Sequence, residues 1–445
     1  MVGASVGERG RPRPRIGLAL GAGGVLGAAW ATGALAVLQH RVPVPVGDFE
    51  VIVGTSAGSV LAAALRCGLT VDEIVTYQQE GPSGPLRALG SPDLGYGPLP
   101  PWPRLSVGSP RLLLAALRAP HTVHPWVIAS ACLPQGRADH EALREMVGDM
   151  ALLGDQRARA RRAWPRLSGR HPAATPASPA ANPATPAANP ANPANPAANP
   201  ANPANPAANP ATPANPAANP ATPANPAANV SNPAANPANA AEHGSPGWFS
   251  RLLGGLTARG DAPAAPDGTS LVTDWDVGGR TWIVAVDYDL GRRVVFGRSG
   301  APPASLPDAV AASCSVPGWF RPAVIGERRY VDGGVRSTAS VDLLAGLGLD
   351  EVYVLAPMAS QVTAPPRTAL ERAERLIRKR MTAATQREIA LLHSEGTKVT
   401  LLTPGPDDLR AMGANLMDPS RRKEVFETSL RTSAEAFREP PGRAA

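Results

Sequence analysis

Cysteine is nearly absent from this chain. The three that occur, Cys67, Cys132 and Cys314, are odd in number and far apart. That excludes a disulfide framework and any zinc-binding spacing, and makes reduced thiols in a cytoplasmic protein the expectation. Aromatic residues are scarce as well, and no stacking pattern accompanies the arginine runs at 157–170 and 367–380, so nucleic acid is not an expected partner. Acidic residues are outnumbered: the formal net charge is +7, which leaves peripheral contact with an anionic membrane open. An uncharged apolar run, Ile16 to Leu38, follows arginines at 9, 11, 13 and 15 and imitates a signal peptide or a membrane span. Its glycines at 21, 23, 24 and 27 are poor helix sequence, and the run reads better as buried strand, loop and helix.

What is abundant is proline, 51 in all, concentrated in Ala-Asn-Pro and Ala-Thr-Pro repeats over residues 172–239. Proline at that frequency forbids helix and sheet, and the repeats carry almost no apolar bulk. The tract is expected to be an extended, disordered insertion, continued by a Gly/Pro-rich connector through Asp267. The expected layout is a disordered basic leader at 1–14, a first half-domain at 15–165, the insertion and linker at 166–269, a second half-domain at 270–404 and a helical tail at 405–445. Continuous apolar runs predict buried strands at 16–20, 49–53, 281–286, 352–356 and 399–402. Helices are expected at 24–39, 57–67, from 72 after a Thr70 cap, and at 111–117, 138–150, 306–312 and 367–393. In the last of these, Leu376, Ile377, Met381, Ile389 and Leu392 form the inward stripe. Residues 81–105 read as loop. Alternating strands and helices imply an α/β fold with a mainly parallel central sheet, to which both halves contribute.

Gly54-Thr55-Ser56-Ala57-Gly58 stands between a buried strand and an Ala-rich helix. A nucleophile elbow needs that context, because small residues permit the strained turn that lifts a serine hydroxyl clear of the backbone. At a second strand-to-helix junction, Gly21, Gly23, Gly24 and Val25 present unobstructed N–H groups able to hold an oxyanion or a phosphate. A dinucleotide site fits less well, since Leu26 stands where the third glycine belongs and no acidic residue closes the second strand. A serine nucleophile needs a base. Of the seven histidines, His40 ends a helix, His171 and His243 flank the repeat tract, and His121, His124 and His140 lie in a stretch with no assigned place in the fold. His393, which alone follows in the order Ser, Asp, His, falls inside a helix rather than on a loop after a strand. Asp332, between the extended Arg329–Val331 and the turn-forming Gly333 and Gly334, projects from a strand end. It becomes a useful base at neutral pH only if burial raises its pKa.

These motifs, with Ala312-Ser313-Cys314-Ser315-Val316-Pro317-Gly318-Trp319-Phe320, resemble the patatin-like phospholipase family over about 15–70 and 280–360. The resemblance implies a three-layer fold and a Ser56–Asp332 dyad. It also implies backbone amides around Gly23 and Gly24 as oxyanion hole, and hydrolysis of lipid or fatty-acyl esters without metal or cofactor. The chain departs from the family pattern at Leu26, where a basic residue is usual, and at Ala22, where glycine is. Two other readings stand beside it: a histidine-using α/β-hydrolase, and a non-catalytic scaffold that docks to membranes.

Overall fold

The computed structural model describes residues 13–89, 101–102, 104–167, 280–361 and 369–438. The leader through residue 12 and the repeat tract with its connector lie outside the described residues.

Strands β1 (Ile16–Leu20) and β2 (Val51–Thr55) pair in parallel with each other, and β5 (Arg280–Asp287) extends the sheet beyond β2. On the other side of β1 come β9 (Glu351–Leu355) and β10 (Lys398–Leu402), also parallel. Three antiparallel strands complete the sheet: β6 (Arg292–Phe296) in a hairpin with β5, then β7 (Ala323–Ile325) and β8 (Arg328–Asp332). The central strands β1 and β2 are buried at every position, as strands covered on both faces must be. Pleating sends Leu18, Leu20, Ile52 and Ile283 to one core and Ala19, Val53, Trp282 and Val354 to the other.

The first core is covered by α1 (Gly24–Gln39), α2 (Ala57–Arg66), α3 (Val71–Glu80), α6 (Glu141–Leu167) and α7 (Leu306–Ser313). The second lies under the 3₁₀ turn Val341–Leu344 and α8 (Ala369–Ser394). The fold is therefore a three-layer α/β sandwich with a mainly parallel sheet, built from both ends of the chain. Between α3 and α6 a smaller unit holds β3 (Arg104–Val107), α4 (Pro110–Arg118), α5 (Pro125–Cys132) and β4 (Pro134–Gln135). Its Leu112, Val127 and Ala131 pack on Val286 and Val331 at the far end of β5 and β8. The C-terminal residues add α9 (Pro406–Met412) and α10 (Arg422–Ala436). Helix α10 crosses α1 so closely that a Cβ on Gly33 would meet the Ser429 side chain at 2.8 Å, and Ser429 Oγ donates to the Trp30 carbonyl at 2.6 Å. No described helix is long and apolar enough to cross a membrane.

Several elements differ from expectation, each for a local reason. The strand expected at 49–53 runs Val51–Thr55, because Val46–Asp48 forms a 3₁₀ turn and Phe49 serves as a core residue before the ladder begins. The stretch read as loop contains the 3₁₀ turn Gly84–Leu89 and the beginning of β3. Helix α6 continues well past residue 150. Its Gly154 packs on the Cys67 backbone, and Arg157 bonds Glu73 at 2.5 Å and the Gly68 carbonyl at 2.7 Å. In α8 the inward stripe is corrected. Leu376 and Ile377 are exposed, and the buried positions are Arg378, Thr382, Thr385, Ile389 and Leu392. Polar residues set the phase of this helix: Arg378 donates to the Pro357 carbonyl at 2.7 Å, and the Thr382 hydroxyl accepts the Ser360 amide at 2.9 Å.

Glycine is required where α2 meets β1. A Cβ on Gly58 would lie 2.1 Å from the Leu20 carbonyl oxygen, so helix and strand can touch only without one. Gly58→Ala is expected to cost about 1–3 kcal/mol as an overpacking strain, seen as a lower urea midpoint at unchanged m-value.

Candidate active site

Strand register brings two distant residues to the same height. Thr55 of β2 faces Val284 of β5, and Asp332 of β8 faces the next residue, Ala285, while β6 pairs with both Val284 and Ala285 on the other edge of β5. Strands β2 and β8 therefore lie end to end along one edge of β5, and Ser56 and Asp332 meet where the two strands end. There the Ser56 hydroxyl donates to the Asp332 carboxylate. Both residues are buried, at 4% and 5% exposure.

Ser56 sits at φ 54°, ψ −125°, one of two non-glycine residues with positive φ among those described. That backbone is costly for a residue with a Cβ and persists only when neighbours hold it. Here they do. The Ser56 amide donates to Ser313 Oγ at 2.8 Å, and Ser313 Oγ donates onward to the Val284 carbonyl at 2.6 Å. The Ser56 carbonyl accepts from the Ser59 amide and hydroxyl at 2.7 and 2.6 Å. At Gly54 a Cβ would meet the Ser59 Cα at 2.6 Å, so the elbow folds back tightly on its own helix.

The Asp332 backbone is fixed by its amide, which donates to the Ser315 carbonyl at 3.0 Å. Its carboxylate accepts the Gly334 amide at 2.7 Å. Gly333 allows the turn to pass over β5, since a Cβ there would lie 2.5 Å from the Val284 oxygen. Two opposing effects act on the carboxyl. Burial favours the neutral form, while hydrogen bonds from Ser56 and Gly334 favour the anion; burial wins, and the pKa is pushed up to about 6. The same burial, with Asp332 nearby, raises the Cys314 thiol far above its ordinary range, so that thiol stays protonated.

The glycine loop enters at the C-terminal end of β1, whose Leu20 faces Gly54. Its donor set is narrower than expected. The Gly21 amide is spent on the Leu355 carbonyl at 2.9 Å and the Ala22 amide on Thr338 at 2.7 Å, so Gly21 is removed from the candidate oxyanion donors. Its bond to Leu355 instead pins the loop to β9. The Leu26 amide bonds Leu416 at 3.0 Å. Gly23, Gly24 and Val25 remain, at the N-terminus of α1, where the helix dipole also favours negative charge.

From Ser56 an apolar cavity of about 130 Å³ follows α2 inward past Val60, Leu61 and Ala64, between Ile74 of α3 and Met146 and Met150 of α6. From Ala57 to Ala64 it covers about 10 Å of helix, a shape suited to a flexible apolar chain. Three wall residues escaped sequence reasoning. Met417 and Arg422 come from the C-terminal region, and Arg422 is the one charged residue of the lining. His140, in a stretch with no assigned place, is buried and stacked on Phe320 at 4.3 Å. Because the Ser315 hydroxyl donates to Ala311, it must accept from His140 Nε2, 3.0 Å away. Burial holds the ring neutral, its pKa lowered to about 4. Nothing in the spacing signalled these three; packing alone brings them here. Ser313 lay within a quoted motif, but its bridging bonds had no sequence signature. His393 is exposed on α8.

A family model described as patatin-like phospholipase matches residues 18–84 and 279–345. These two segments contain the glycine loop, the elbow, the Ser313–Phe320 segment and Asp332. No curated protein matches the chain significantly.

Asp332 also carries a stability signature. Its folded pKa of about 6 lies above the ordinary 3.8, so the stability of the protonated form is fully present below pH 3.8 and is lost as pH rises through 6. Asp332→Asn does not titrate. It is expected to be more stable than the parent at pH 8 by on the order of 3 kcal/mol, with the gap closing toward pH 4 in thermal or urea melts.

Proposed function

The chain carries a patatin-like phospholipase domain split between its N- and C-terminal parts, and from that premise we propose that it is a serine lipid acyl hydrolase acting through Ser56 and Asp332. The family is one of lipid hydrolases, and its substrate is a lipid acyl ester. The finer reading rests on one observation above the others: a strained, buried serine whose hydroxyl is hydrogen-bonded to a buried carboxylate of raised basicity, at the head of an apolar channel.

In the proposed reaction the acyl chain lies along α2 and presents its carbonyl carbon to Ser56 Oγ. Asp332 takes the hydroxyl proton as the oxygen attacks, and the carbonyl oxygen becomes an anion received by the amides of Gly23, Gly24 and Val25. Collapse of the tetrahedral species breaks the ester bond, and Asp332 returns its proton to the departing alcohol. Water then enters and gives its proton to the freed Asp332. Its oxygen attacks the acyl-enzyme, and the fatty acid leaves as the proton passes back to Ser56.

A histidine base finds little support. His393 is exposed, and the Nε2 of His140 is committed to Ser315. Peripheral contact with an anionic membrane, where such a substrate resides, belongs to the same reading.

With a fluorogenic fatty ester, Ser56→Ala and Asp332→Asn are each expected to lower kcat by roughly 10³-fold or more, whereas His393→Ala leaves turnover unchanged. Full activity in either dyad variant overturns the assignment. The parent kcat/KM is expected to fall as pH drops through about 6, where Asp332 takes up its proton.

A further inference from the structure

Between Leu94 and Ala138 the chain contains no aspartate or glutamate, but four arginines. The same stretch, the α4–α5 unit, is where large apolar side chains stand in solvent. Trp102 is 89% exposed and Leu117 81%, and Leu114, Trp126, Leu133 and Val107 are each close to half exposed. These six are half of all exposed large hydrophobics among the described residues, so the surface is concentrated rather than scattered, and concentration marks a contact site.

Helix α4 shows how the surface is organised. Leu112 and Ala116 are buried, Leu112 in a cluster with α5 and β5. The opposite arc carries Arg111, Leu114, Leu117 and Arg118, all exposed, at spacings that put them on one face. Two leucines flanked by two arginines, with no acid on the helix, form the pattern of a helix lying in the plane of a lipid interface. Exposed tryptophans on neighbouring segments suit the headgroup level. Asp289 pairs with Arg111 of this face at 4.0 Å, and its main partner is Arg329.

The unit is also tied to the cavity. Seven residues after exposed Leu133, His140 lines the cavity wall. Between them the Ala138 amide donates to the Trp319 carbonyl at 3.2 Å, and Arg321 donates to Ala138 at 2.9 Å. That clasp brackets Phe320, another wall residue.

We propose that the outer face of α4, with Trp102 and Trp126, docks this protein on an anionic lipid surface. The inference rests on the reading of the chain as a lipid hydrolase, to which it adds the surface that meets the bilayer. A protein partner or a second copy of the chain would also cover leucines. The basic flanks and the lack of any acid over 45 residues favour anionic headgroups instead.

The test is co-sedimentation of the full chain with vesicles of phosphatidylcholine alone and of phosphatidylcholine with phosphatidylglycerol. Binding is expected to the anionic vesicles. Leu114→Asp with Leu117→Asp should weaken it by roughly tenfold or more. Arg111→Gln with Arg118→Gln should weaken it by about fivefold per arginine, and only where phosphatidylglycerol is present. Both variants should hydrolyse a monomeric soluble ester at the parent rate, which shows that they are folded, and Ser56→Ala should bind vesicles normally. Absence of parent binding, or variants that bind as the parent does, overturns the proposal. So does light scattering that finds a dimer dissolved by Leu117→Asp. A parent that binds vesicles but hydrolyses no ester keeps the docking surface and refutes the catalytic reading.

Discussion

The pairing of β5 with β2 and then with β8 along one and the same edge is the constraint on which the site depends. Val284 and Ala285 are consecutive, and their partners across the two ladders are Thr55 and Asp332. A slip of one residue in either ladder would turn the carboxylate to the opposite face of the sheet or carry the elbow out of reach, because side chains alternate faces along a strand. Register is held by burial on both faces and by Ser313, whose hydroxyl ties the Ser56 amide to the Val284 carbonyl. The hydrogen bond between Ser56 and Asp332 is a consequence of backbone pairing across residues more than 270 positions apart in sequence.

Stability is given up locally for this arrangement. A serine is held at positive φ, and a carboxyl is placed where its charged form is disfavoured. Ser313, Ser59 and the bare glycines at 54, 58 and 333 over-determine the geometry, so neither group can relax into a more comfortable state. Burial raises the basicity of Asp332, and the apolar cavity that opens from Ser56 is the surface on which an acyl chain would lie. The C-terminal residues take part: Leu416 holds the glycine loop through the Leu26 amide, and Met417 and Arg422 complete the cavity wall.

The α4–α5 unit follows a different logic. The six other exposed large hydrophobes are spread over α6, the β5–β6 turn, β7 and α8, whereas this unit buries only one side of α4 and leaves leucine and tryptophan together in water. An isolated exposed leucine is ordinary. A face of them on a helix that carries arginines and no acid, clasped to the wall of a lipid-shaped channel, is consistent with a protein whose substrate lies in a bilayer.

Local pattern determined a good deal by itself. Buried strands, the capped start of α3 at Thr70, the elbow at 54–58, the glycine loop and the projecting Asp332 could all be read from residue type and spacing, because each depends on a few contiguous residues. Where local chemistry competes with packing, the pattern misled: Arg378 and Thr382 turn α8 so that Leu376 and Ile377 face outward. Only tertiary structure decided that the Gly21 amide is spent on β9, that Ser313 braces the elbow, and that His140, Met417 and Arg422 meet at one cavity. Those facts depend on which carbonyl or side chain arrives from a distant segment. The order of residues along a chain does not encode that until the sheet has set its register.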